Sequence, residues 1–376
     1  MKDPGLWPGG GTVVKILQLL ASLGADVRDC RPMARFVSSP ETFIVEEIPA
    51  YLPAGEGEHT YLWIEKKSLT TLEAVGKLAQ VLGLQARDIG YAGMKDRRAT
   101  TRQWLSLSGV DPARAQEAAV EGVRILATGR HRNKLRVGHL HGNRFEILLT
   151  EVAAGEGAKI SGALADLAAK GVPNRYGHQR FGSAGDNVEV GLAVLRGTRR
   201  EPDNRRRKLL LSAVQSAVFN RVLDLRAQEG GLLVLRSGDI LEKVASGGQF
   251  SSTDIAADQA RVDSGEVVPT APLPGGRVRT PEPGSAARAL EDRALAELGI
   301  GAEELGQVGR SLPGTRRPVV VKVTLVQPAV TEEAGGLRLR FSLPPGSYAT
   351  VVLESLGVEQ GRQGEPMLAS DAEPAS

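Results

Sequence analysis

Over residues 41–152 apolar side chains return at every second position in short runs, a period met by extended chain with one buried face. ETFIVEEIPA, HTYLWIEK, IGYAG, RQWLSLSG, GVRILATG and RFEILLTEV read as strands, with turn-like segments such as PAGEGE between them. Helical spacing enters singly. Thr70 with Glu73 three residues later gives a capping-box signal, followed by a stripe of Leu72, Val75, Leu78, Ala79 and Leu82. Pro112 opens a second helix to about Val120, and residues 159–170 and 209–226 carry two more. No glycine-rich phosphate turn joins a strand to a helix. The predicted class is therefore α+β, a mostly antiparallel sheet flanked by helices.

A chain of 376 residues has room for two domains. Residues 230–315 shift to Gly, Pro, Ala and charge with few aromatics, which predicts a loop-rich insertion. VVVKVTLVQ and LRLRFSL restore strand character and are expected to rejoin the first sheet. LPPGSYATVVLESL then turns into a helix, and residues after Gly357 are expected to fray. Residues 13–25 are apolar, but Lys15 interrupts them and Asp3 precedes them. They read as a short helix or an N-terminal extension rather than a secretory signal.

The single cysteine, Cys30, excludes an internal disulfide and a cysteine-clustered zinc site. No run reaches the roughly 18 apolar residues of a membrane span. These features predict a reduced, cytoplasmic protein with no membrane partner. The formal charge of +3 says less than its distribution. Between Gly122 and Phe145 there is no acid, only Arg124, Arg130, Arg132, Lys134, Arg136 and Arg144. A second cluster, RGTRREPDNRRRK, spans residues 196–208. Two such clusters point to a polyanion. His131, His139 and His141 share the first window, but a predicted loop without a nearby carboxylate does not suit a metal.

GYAGMKDRRATTRQW, residues 90–104, sets one acid, Asp96, between Lys95 and the pair Arg97–Arg98. The stretch resembles the central motif of the TruD family of tRNA pseudouridine synthases. VPNRYGHQRFG (residues 172–182) resembles that family's second signature, and LPPGSYAT (residues 343–350) its C-terminal one. Weaker echoes are SPETFIVEEI, GEGEHTYLWIEK, HGNRF and NRRRKLLLSAVQSAVFNRVL. All occur in the family's order, over residues 38–355. The resemblance implies a pseudouridine synthase catalytic domain, residues 31–171 and 315–356, interrupted by a family-specific α+β insertion, residues 172–314. Residues 1–30 would be an extension and 357–376 a flexible tail. It further implies isomerisation of uridine to pseudouridine in tRNA, usually at position 13. No metal, organic cofactor or obligatory protein partner is implied.

By the same resemblance Asp96 is the catalytic carboxylate. Attack at C1′, attack at C6 and abstraction of a sugar proton all remain open to it. A basic neighbour is expected to keep it ionised when RNA excludes water. Phe145 would pack against the target base, and Asn143 would orient the carboxylate or the backbone around it. Lys95, Arg97, Arg98, Arg130, Arg132, Lys134, Arg136 and Arg180 are candidates for RNA or phosphate contact. Lys66 and Thr71 match positions expected to be structural. Three departures stand out. Val37 occupies a position where the family often has lysine, leaving Arg35 as a candidate charge partner for Asp96. Arg175 replaces an aromatic, and Thr42 an acid. Val37 favours the alternative, an RNA-binding or RNA-chaperone protein of the same fold without catalysis.

Overall fold

The computed structural model describes residues 33–182, 185–301, 304 and 312–361. The expected N-terminal extension or short helix, and the tail beyond Gly361, lie outside the described residues. Two compact units divide the chain. One takes described residues 33–162, 324–346 and 357–361, and the other takes 163–323 and 347–356. The division falls inside the helix Glu156–Lys170, ahead of the expected residue 172.

The first unit holds strands β1 (Ala34–Val37), β2 (Phe43–Pro49), β3 (His59–Lys67), β4 (Gly90–Tyr91), β5 (Thr100–Ser108), β6 (Val123–His131) and β7 (Leu140–Leu149). Its eight-stranded sheet runs Thr324–Glu333, Gly336–Leu343, β7, β2, β5, β3, β6, with β4 paired to β5. Every pairing in it is antiparallel except β2 with β5. The period of two is visible in Gly336–Leu343, where buried and half-buried residues alternate throughout.

The helix Thr71–Leu82 begins with the expected capping box at Thr70 and Glu73, and it ends at left-handed Gly83, φ 70°. Ala74, Val75, Leu78, Ala79 and Leu82 pack on Leu62, Ile64, Leu105 and Leu107 of β3 and β5. Leu72, expected in that stripe, is exposed; Thr71 takes the inward position next to it. The helix after Pro112 stops at Gln116, and Val120 bridges to Val123 instead of extending it. VVVKVTLVQ breaks in two. Val320–Val321 pairs with Val172–Pro173, and the chain joins the large sheet only from Thr324. Val358–Gly361 does not fray but lies parallel to β1, Ala34 opposite Val358.

The second unit is built on the helix Asn204–Gln228, capped by Asp203. Its Ala213, Phe219, Val222 and Leu223 are buried with Leu232, Ala271, Leu290 and Ala294. The stretch expected to be loop-rich holds three strands of a four-stranded sheet, ordered Gln249–Ser251, Ile240–Lys243, Val267–Leu273, Thr315–Pro318, the last strand starting where the stretch ends. It also holds the helices Ile255–Asp263 and Ala286–Glu297. Aromatics are scarce in this stretch, but Leu, Val and Ala fill its core, with the buried ion pairs Arg226–Asp239 and Arg316–Glu291.

Candidate active site

Lys66 on β3, Thr101 on β5, Val45 on β2, Phe145 on β7 and Phe341 are successive cross-strand neighbours, so they share one face of the sheet. Glu47 and Asn143 sit opposite each other two residues along, and therefore face the same way. The face is mostly apolar, yet Glu47, Lys66, Thr101 and Gln103 are all buried in it. Burying such groups is unfavourable unless they are paired, so their partners carry information.

Three of those groups tie down the loop between β4 and β5. The Lys95 amide donates to Thr71 Oγ1 at 2.9 Å, and the Thr71 hydroxyl donates to Gln103 Oε1 at 2.9 Å. Lys95 Nζ donates to Glu47 Oε2 at 3.0 Å in a pair almost sealed from solvent. Lys66 Nζ donates to the Asp96 carbonyl oxygen at 3.1 Å and to that of Leu69 at 2.5 Å. The main chain is thus held on both sides of the Asp96 Cα. Its carboxylate is exposed and accepts no hydrogen bond from any described residue.

Solvent touches the Asp96 carboxylate, yet the protein mass around it removes enough water to raise its pKa above the ordinary aspartate value. Lys66 and then Lys95 oppose that rise. Basic neighbours do favour the ionised form, as expected, but desolvation is the larger effect. Burial also lowers the Lys66 ammonium to about 8, against the pull of Asp96.

Several assigned roles change. Arg35 binds Glu151 at 3.5 Å, and the cations acting on Asp96 are Lys66 and Lys95. Lys95 is buried against Glu47 and so is withdrawn from RNA contact. Arg97 reaches Glu73 at 3.5 Å and the Ser68 carbonyl at 3.3 Å. Arg98 and Arg136 are exposed, with side chains that meet no partner among the described residues. The acid-free window is largely neutralised from elsewhere in the chain. Arg124 pairs with Glu65, Arg130 with Asp111, Arg132 with Glu56 and Arg144 with Glu46, while Lys134 donates to the Arg87 carbonyl. Arg180 lies in the other unit, its Nε donating to Ser216 Oγ at 3.1 Å. Asn143 makes no bond to Asp96, and its Oδ1 is buried without a partner among the described residues. Glu47 and Gln103 were missed. An acid at an inward period-two position of FIVEEIP was the signal for Glu47.

Phe145, expected against the base, is buried, stacked on Phe43 at 6.2 Å and tilted against Phe341 at 5.6 Å. The alternation that makes β7 a strand turns this ring into the core. Phe145→Ala is therefore expected to lose about 3–5 kcal/mol of folding stability by denaturant titration. A variant that kept its stability but bound RNA weakly would return Phe145 to a base contact.

Among the described residues no group of three or more His, Cys, Asp or Glu is placed to hold a metal ion, and no helix is long and apolar enough to cross a membrane. The family model for tRNA pseudouridine synthase D (TruD) matches residues 33–202 and 200–356. The tRNA pseudouridine synthase D of Anaeromyxobacter sp. (strain Fw109-5) is 43% identical over 325 residues, 85% of this chain and 90% of its own length. That of Thermus thermophilus is 41% identical over 322 residues, 84% of this chain and 86% of its own length. A solved structure from Methanosarcina mazei, named for tRNA pseudouridine synthase D, superposes with a TM-score of 0.67 at 22% identity, covering 90% of this chain and 98% of its own. It shares the fold. With the Asp96 loop anchored on the sheet and the family model spanning nearly all the described residues, the chain belongs to the TruD, or tRNA pseudouridine synthase D, family.

Proposed function

We propose that this chain is a tRNA pseudouridine synthase, isomerising one uridine, at position 13 by family resemblance, with Asp96 as the reacting carboxylate. The observation that carries the reading is the Asp96 loop itself: backbone fixed at Lys95 N and Asp96 O, carboxylate exposed and uncommitted. In the reaction N1–C1′ breaks, the uracil turns, C5–C1′ forms, and the C5 proton leaves as N1 gains one. A carboxylate whose pKa is raised is a stronger base than an ordinary aspartate, which serves proton abstraction and attack alike. Lys66 positions it through the backbone. Because Lys66 supplies a cation, Val37 no longer argues for a protein without catalysis. The unit carrying Asp96 is read as the catalytic domain.

Incubation with tRNA tritiated at uridine C5 should release tritium, and carbodiimide mapping should place the product at position 13. Tight tRNA binding with no release would leave the RNA-binding reading instead. A second expectation concerns pH. Protonating Asp96 removes the reactive form, so the acid limb of kcat/KM should lie above the ordinary value of 3.8. Lys66→Met removes the largest influence lowering that pKa, so the limb should move to higher pH. A limb that stays in place would exclude Lys66 as a charge partner.

A further inference from the structure

Lys95 is buried, but the residues on either side of it, Met94 and Asp96, are exposed. Among the described large apolar residues the three most exposed are Val137 at 74%, Met94 at 73% and Leu52 at 66%. All three stand on loops that are tied together. The Gly138 amide, next to Val137, donates to the Ala92 carbonyl at 2.9 Å, two residues ahead of Met94. The Ala50 amide, two residues before Leu52, donates to the His139 carbonyl at 3.4 Å. One exposed apolar side chain needs no explanation, but three on joined loops beside an uncommitted carboxylate do. The chain around Met94 is also held. The Gly93 carbonyl accepts from Gln103 Nε2 at 3.2 Å, and the Lys95 amide donates to Thr71. With Ala92 bonded to Gly138, the backbone is fixed on both sides of a thioether side chain that stands in water, where it adds little to the fold.

Chemistry at C1′ and C5 requires the uridine to leave its stack, and the unfilled gap costs stacking energy. Apolar side chains, methionine among them, serve as wedges between base steps, and the flexible thioether adapts to an irregular gap. Met94 lies within reach of such a gap. Two residues of chain span at most about 7 Å, roughly two stacked bases of about 3.4 Å each, from the residue that meets the turned-out nucleoside. Arg98 and Arg136 stand on the same two loops, their exposed side chains without partners among the described residues, and offer positive charge to the flanking phosphates. We infer that Met94 is a positioning residue: it enters the tRNA stack in the place of the target uridine and keeps that uridine turned toward Asp96. The inference rests on the synthase reading above.

A tRNA carrying 2-aminopurine in the nucleotide 3′ to the target uridine reports the event, because that base brightens when its stacking neighbour leaves. Asp96→Asn protein, in which no chemistry follows, should brighten it at saturation. Adding Met94→Ala or Met94→Gln to Asp96→Asn should remove most of the rise, and Met94→Leu should restore it. With Asp96 in place, tritium release at saturating tRNA should fall about tenfold in Met94→Ala and Met94→Gln, since excess substrate does not help a base that stays stacked. Met94→Leu, as apolar and of similar length, should recover most of that rate. All three should melt like wild type, because the side chain is exposed. No brightening with Met94 present, a rise of equal size with Met94→Gln, or Met94→Leu as slow as Met94→Ala overturns the proposal. Brightening that depends on Met94, from a wild type that releases no tritium, sinks the catalytic reading alone. Tritium release by wild type, with brightening indifferent to Met94, sinks this inference alone.

Discussion

Asp96→Asn is expected to lower tritium release from tRNA by roughly 10³-fold or more at pH 7, with tRNA affinity and melting temperature unchanged. The separation follows from how the loop is held. Thr71, Glu47 and Lys66 secure it through the Lys95 amide, the Lys95 ammonium and the Asp96 carbonyl, none of which the substitution touches. The altered side chain is exposed and has no described hydrogen bond to lose, so the change removes charge and basicity and little else. A second readout ties the loss to electrostatics. Asp96 supports the charged form of Lys66, whose pKa lies at about 8, so in the variant that value should fall further. Full turnover by Asp96→Asn would move the chemistry to another residue.

How much of this was legible depended on the range over which each residue acts. The capping box, the strands and the placing of Asp96 in a loop between β4 and β5 are local matters of dihedral preference and period. Each could be read from about ten residues. Partners could not. Arg130, Arg132 and Arg144 stand in a window free of acids, yet strand pairing and turns bring Asp111, Glu56 and Glu46 to them from up to 98 residues away. A charge run read in one dimension counts the cations and misses the opposing strand. Lys95 was misassigned for the same reason: its carboxylate lies 48 residues away on β2. Val358–Gly361 was misjudged because four residues carry little periodic signal, and only β1 makes a strand of them. Asp96 was reached through resemblance of motifs; its local sequence alone suits a turn residue with basic neighbours equally well.

The buried pair under the loop gives the other large effect. Lys95→Met should destabilise the protein by about 3–5 kcal/mol at pH 8, because it leaves the Glu47 carboxylate sealed in the sheet without its cation. Burial already holds the Glu47 pKa above the ordinary value, with Lys95 as the main influence lowering it. Without Lys95 that pKa rises further. A carboxylate whose folded pKa exceeds its unfolded one binds more protons when folded, so its unfavourable contribution grows as pH rises between the two values. The Lys95→Met loss should therefore be smaller at pH 5 than at pH 8 in urea titrations. Glu47→Gln combined with Lys95→Met removes the stranded charge and keeps an acceptor for the Trp104 amide, which Glu47 Oε1 takes at 3.2 Å. The double variant should regain most of the stability, and the cycle should show coupling of several kcal/mol. It should not regain activity, because a loop without the Lys95 anchor holds Asp96 less firmly, and a misplacement of about 1 Å is enough to lower turnover about 10²-fold. A double variant that turned over like wild type would show that the Lys95–Glu47 pair supports the sheet and has no part in placing the carboxylate.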